Sequence, residues 1–146
     1  MPLLRKCGGA EMLVVLDTNV LVSAFWSPGR KASDILNAVL SGRLSAVYDY
    51  RIFEEYRKVL HYSKFAFSEH EISTLLEFIR TEGIAVAAPH IAGLSLPDEE
   101  DRKFLEVSRF CGAILITGNL KHFPNDPSIL SVSEFWAQHL HRKQTG

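Results

Sequence analysis

Asp17, Glu55 and Asp101 are the residues of this chain whose types and spacing point to chemistry. Asp17 breaks off an apolar run, Met12-Leu13-Val14-Val15-Leu16, and is followed by Thr18-Asn19 and a second apolar run, Val20-Leu21-Val22. Five apolar residues in succession read as a buried parallel strand. A carboxylate at the end of such a strand lies where open α/β sheets bind ligands, and it costs free energy unless a partner or a metal compensates it. Glu55 follows Ile52 by three residues and precedes Val59 by four, which places it on or beside the apolar stripe of a helix. Glu54 shares its face with Arg51, Lys58 and His61 and reads as solvated. The same test applied to Asp98-Glu99-Glu100-Asp101 turns Asp101 inward, toward Phe104 and Leu105. It leaves Glu99 on a polar face with Arg102, Lys103 and Glu106, and it makes Asp98 a helix cap.

A fourth polar group, Asn119, follows a second buried-type strand, Ala113-Ile114-Leu115-Ile116-Thr117. Singly, each acid is explained as a cap or an ion-pair partner. Together, at strand ends and on inward helix faces, they imply a cluster of like charges that cannot all stay ionised without a cation. Hard oxygen ligands without His or Cys suit Mg²⁺ or Mn²⁺. Such an ion activates water toward a phosphodiester, which is nuclease chemistry. A phosphatase is disfavoured, because Asp17-Thr18-Asn19 lacks the second Asp of a nucleophile-and-acid pair. His61, His70, His90, His139 and His141 have no ligand spacing, and His122 reads as a loop hydrogen-bonding residue rather than a general base.

The elements that must position these groups alternate. Ala32, Ile35, Leu36, Val39 and Leu40 recur at helical spacing, and Gly42 stops the helix. A short strand at Ala46–Tyr48 and a helix marked by Ile52, Phe53, Tyr56, Val59 and Leu60 follow. Ser68 and Glu71 have capping-box spacing ahead of Ile72, Leu75, Leu76 and Ile79, and Gly83 ends that helix. A strand over Ile84–Ala88, a helix from Pro97-Asp98 to about Phe110, a weak strand at Ile129-Leu130 and a last helix from Ser133 complete the pattern. Such alternation implies a mostly parallel sheet with helices on both faces.

With 146 residues the chain fits one domain. We expect a flexible extension over residues 1–11, the domain over 12–140 and a frayed tail over 141–146. Hydrophobic residues, at 47%, suffice for a full core. A net charge of −1 argues against a bulk electrostatic grip on nucleic acid but allows a local basic rim. Two cysteines without metal-type spacing suggest reduced thiols and a cytoplasmic protein. No segment has the length and apolarity of a membrane span or the apolar core of a signal peptide.

Four segments, in order, resemble the motifs of PIN-domain ribonucleases. Val15-Leu16-Asp17-Thr18-Asn19-Val20-Leu21-Val22-Ser23-Ala24 is similar to the opening motif, and Glu54-Glu55-Tyr56-Arg57-Lys58-Val59-Leu60 to the second. Asp98-Glu99-Glu100-Asp101-Arg102-Lys103-Phe104-Leu105-Glu106 resembles the third, and Ala113-Ile114-Leu115-Ile116-Thr117-Gly118-Asn119 the fourth. The subgroup it most resembles is the VapC-like toxins of toxin–antitoxin pairs. The resemblance implies a three-layer α/β/α sandwich, divalent-metal-dependent cleavage of single-stranded RNA, an antitoxin partner and frequent homodimerisation. By position it carries the acidic, catalytic roles to Asp17, Glu55 and Asp101, the expected metal ligands, and supporting roles to Asn19 and Thr117. Asn119 is a further catalytic candidate, and Asp98 a further supporting one. Many members have an acid where this chain has Asn119, so three formal negative charges remain and any second metal is held more weakly. A catalytically weak or inactive module that binds RNA or an antitoxin is the alternative reading. Arg30, Lys31, Arg102 and Lys121 are candidate RNA contacts around the acidic pocket, with Trp26, Phe25 and Phe123 as candidate stacking partners.

Overall fold

The computed structural model describes residues 12–141. The expected extension over 1–11 and the tail beyond His141 lie outside the described residues. The apolar run becomes β1 (Met12–Leu16), and Asp17 leads directly into α1 (Thr18–Trp26). Sequence patterning did not assign this helix, because Val20-Leu21-Val22 fits a strand as well as a helix. Burial separates the two readings: Val20, Leu21 and Ala24 are buried at helical spacing, and the Val20 amide bonds the Asp17 carbonyl.

The chain continues through α2 (Lys31–Leu40), β2 (Leu44–Tyr48), α3 (Tyr50–Leu60), α4 (Glu69–Glu82) and β3 (Ile84–Ala85). It then returns through α5 (Arg102–Cys111), β4 (Ile114–Thr117), β5 (Ile129–Ser131) and α6 (Val132–Phe135). All four strand pairings are parallel, in the order β3-β2-β1-β4-β5. This is the α/β/α architecture expected from the alternation. β3 is shorter than the expected Ile84–Ala88: after the Val86 amide bonds the Tyr48 carbonyl, the backbone leaves the sheet ahead of Pro89. Gly83 precedes it because a Cβ there would lie 2.5 Å from the Ile79 carbonyl oxygen and 2.9 Å from that of Ala46. Close approach, not an unusual backbone angle, requires the glycine.

The order of strands matters for function. The chain builds outward from β1 through β2 to β3, then crosses back to place β4 on the other side of β1. The crevice at the carboxyl ends of β1 and β4 is therefore the switch point where open α/β sheets bind ligands. Val14, Val15, Leu115 and Ile116 are buried in these strands, with Phe104, Leu105 and Ile52 packed from the helices. Tyr56 of α3 is also buried, and its hydroxyl donates to the Leu16 carbonyl at 2.5 Å, which pins the end of β1. Cys111 is disulfide-bonded, where the sequence reading takes the cysteines as reduced thiols. Among the described residues no helix is long and apolar enough to cross a membrane.

Candidate functional site

Asp17 is 6% exposed at the carboxyl end of β1. Its amide bonds the Ile116 carbonyl, which joins the ends of β1 and β4, and its Oδ2 accepts from the Thr117 hydroxyl at 2.7 Å. Thr117 in turn accepts from the Asn119 amide through Oγ1, and the Gly118 amide donates to Asn19 Oδ1. Asn19 and Thr117, predicted as supporting residues, thus tie the two strand ends together. Burial raises the Asp17 pKa to about 6, against the pull of Thr117 and the Thr18 amide. The charges of Asp101 and Glu55 push in the same direction as burial. The three acids chosen from helix and strand geometry therefore share one electrostatic cluster.

Glu55 is committed to two donors. Thr18 donates its hydroxyl to Oε2 at 2.5 Å, and Lys103 Nζ lies 2.8 Å from Oε1. Among the described residues its neighbour Glu54 pairs only with exposed Arg57, one turn away. The partners, more than the depth of burial, separate the two glutamates, since both are half-buried. Asp101 Oδ2 accepts from His122 Nδ1 at 3.0 Å, and His122 Nε2 lies 3.0 Å from Asn119 Nδ2. An amide nitrogen only donates, so His122 accepts at Nε2 and gives its proton at Nδ1 to Asp101. Burial raises the Asp101 pKa, and His122 opposes that shift.

Several expectations change here. Lys103 and Glu106 do not lie on a solvated face: Lys103 is 7% and Glu106 1% exposed. Helix α5 is covered on this side by α3 and by the segment before it, which a single-helix projection does not show. Glu106 bonds Arg51 at 2.7 Å and the Ile91 amide at 2.9 Å. Burial pushes its pKa up, but these two donors outweigh burial and hold it below the ordinary value. Arg102 is not a free RNA contact: it pairs with Glu99 and donates to the Ile91 and Leu94 carbonyls, fastening the segment before α5. Asp98 caps the turn at Glu99–Asp101 by accepting from the Glu100 amide, and α5 proper starts only at Arg102.

Of the other candidates, Arg30 and Lys121 are exposed, and Lys31 sits over the Trp136 ring, 5.0 Å from its centre. Phe123 is buried, Phe25 is half-buried and packs edge-on against Phe67, and Trp26 is the most open of the aromatic candidates at 59% exposed. Beside Glu55 a groove of about 920 Å³ is lined by Arg57, Lys58, His61 and Tyr62 of α3 and its end, with Glu100 and Lys103 opposite. Sequence reasoning missed the contacts of Thr18 and Lys103. Only their places inside the motifs hinted at them, because these contacts span 37 and 48 residues of chain. His122 is the loop hydrogen-bonding residue that the sequence suggests, but its partner Asp101, 21 residues away, is visible only in the fold.

The model of the PIN domain family matches residues 13–121. The chain belongs to the PIN domain family. No curated protein matches it. The solved structure of VapBC2 from Rickettsia felis, bound to a DNA fragment from its promoter, is similar in fold. The TM-score is 0.53 at 17% identity, over 82% of this chain and 97% of that one. In this PIN domain no three His, Cys, Asp or Glu side chains among the described residues are arranged to hold a metal ion. The donor chemistry nevertheless fits a hard cation. Asp17 is buried with a raised pKa and has only neutral donors as partners, while two further acids crowd it. A cation near Asp17 and Asp101 would reverse that penalty.

Proposed function

We propose that this PIN domain is a divalent-metal-dependent endoribonuclease acting on single-stranded RNA, the toxin of a toxin–antitoxin pair. The observation that carries the reading is the buried, charge-crowded Asp17 at the switch point between β1 and β4. Mg²⁺ or Mn²⁺ would be held by Asp17 and Asp101, with Glu55 and Asn119 completing the site directly or through water. Bound there, the ion supplies charge stabilisation and water activation for phosphodiester hydrolysis.

The chain's own residues prepare this. Thr117 orients Asp17, His122 orients Asp101, and Thr18 with Lys103 orients Glu55. Burial at the ends of β1 and β4 keeps bulk water from screening the Asp17 charge. RNA would enter along the groove beside Glu55, where Lys58 and Arg57 meet phosphates and Tyr62, 40% exposed, offers a ring for stacking. The likeness in fold to a chain of the Rickettsia felis VapBC2 complex supports an antitoxin partner. Homodimerisation and a cytoplasmic location follow from the same reading.

Incubation with labelled single-stranded RNA tests it. Cleavage with Mn²⁺ that chelator abolishes supports the nuclease. Binding without cleavage supports the alternative, a PIN-fold module that holds RNA or an antitoxin. Asn119 in place of an acid, and the lack of three converging ligands among the described residues, are the observations in its favour.

A further inference from the structure

Lys103 is the one ammonium in contact with the acidic cluster among the described residues, and the proposed mechanism has not used it for chemistry. Its side chain is 9% exposed, too enclosed to grip a substrate phosphate. Nζ reaches Glu55 Oε1 at 2.8 Å, lies 3.6 Å from Glu100 Oε1, and donates to the Glu100 carbonyl. The second oxygen of Glu55 is taken by Thr18 at 2.5 Å. Both Glu55 oxygens are thus occupied by donors, one of them a full positive charge. Asn119, on the β4 side, brings no charge. The cluster therefore holds three carboxylates and one built-in cation.

We propose that Lys103 supplies, from the chain itself, the positive charge that a second metal ion would bring, so that this site takes a single divalent ion. That ion is held by Asp17 and Asp101, and Glu55, locked by Lys103 and Thr18, acts as a positioning residue that reaches the ion through water rather than as a direct ligand. The physical argument is one of charge. Two carboxylates plus one divalent ion are neutral, and Glu55 plus Lys103 are neutral. A second divalent ion beside Lys103 meets like-charge repulsion and finds no free carboxylate. A buried ammonium whose carboxylate was taken by a metal would keep only the exposed Glu100 carboxylate, 3.6 Å away, as a counter-charge, which is unfavourable. The inference rests on the metal-dependent reading above and specifies its stoichiometry.

Calorimetric titration of the full chain with Mn²⁺ alone, with manganese electron-spin resonance to count bound ions, tests it. The wild type should bind one ion per chain. Lys103→Met frees Glu55 and removes a positive charge, so it should tighten Mn²⁺ binding about tenfold or more, or add a second ion. Lys103→Arg keeps the charge and should keep one ion. Adding Glu55→Gln to Lys103→Met should return the count to one. Two ions in the wild type overturn the proposal, even where Lys103→Met fails to fold. Unchanged or weaker Mn²⁺ binding by a folded Lys103→Met chain overturns it as well. The two readings fail differently. Two ions with RNA cleavage leave the nuclease standing and remove the role of Lys103. One ion with the predicted Lys103→Met gain, but no RNA cleavage, leaves Lys103 in place and removes the nuclease. No ion bound removes both.

Discussion

Asp17 is held ionised against its environment. Its pKa of about 6 in the fold stands against 3.8 for an unperturbed Asp. Below about pH 4 both folded and unfolded chains are protonated there, and Asp17 has no effect on stability. As pH rises from about 4 to about 6, the unfolded chain binds fewer protons than the folded one, so stability falls. The loss is complete above about pH 6. Two pKa units correspond to about 3 kcal/mol at most. Asp17→Asn should therefore melt higher than the wild type in chelator at pH 7, with the gap closing toward pH 4, and should lose RNA cleavage. Thermal melts across that range measure the first effect. A gap that does not vary with pH would remove the burial argument. The two neighbouring glutamates offer a second test. Glu55→Gln removes the charge that Lys103 pairs with, whereas Glu54→Gln touches only an exposed pair with Arg57. Cleavage should fall at least tenfold more in the first variant than in the second. Equal losses would mean that the contacts of Glu55 do not matter for the reaction.

At the scale of elements, the site is a meeting of strand ends. β1 and β4 run parallel side by side, and the Asp17 amide bonds the Ile116 carbonyl just before both chains leave the sheet. Asn119 then sits at the mouth of the site, bonded to His122. Asn119→Asp adds a charge at nearly constant shape. It should lower the melting temperature in chelator and enlarge the rise on adding Mn²⁺, because a fourth carboxylate joins three others. Paired melts with and without metal read both shifts, and a variant that moved neither would make Asn119 a turn residue. The strands and the inward acids were legible in the sequence because burial writes itself as apolar runs and stripes. Helix α1 was not, since a short apolar run fits either period. Lys103, Glu106 and Arg102 were misplaced for a related reason. A helix projection identifies the face toward the sheet, but α5 is also covered by α3 and by the segment around Ile91 to Leu96, and only the fold brings these together. Thr18 announced itself only as a polar residue inside a motif, and His122 only as a loop hydrogen-bonding residue without a named partner. Their roles depend on where distant carboxylates point.

For the whole molecule, a net charge of −1 leaves RNA binding to a few local cations. The groove along α3 supplies two of them, Arg57 and Lys58, both exposed. Lys58→Ala and Arg57→Ala should raise KM for RNA several-fold with kcat little changed. Each should also lower the salt dependence of binding by about one phosphate contact. Unchanged KM in both variants would move the RNA path to the face bearing Arg30 and Lys121. The account as a whole stands on a divalent ion at the switch point between β1 and β4, close to Asp17 and Asp101. Anomalous diffraction from crystals of the wild-type chain soaked in Mn²⁺ locates that ion directly. The account predicts one peak within bonding distance of the Asp17 and Asp101 carboxylates, absent in Asp17→Asn crystals. No peak there, or a peak that persists in the Asp17→Asn variant, would contradict it.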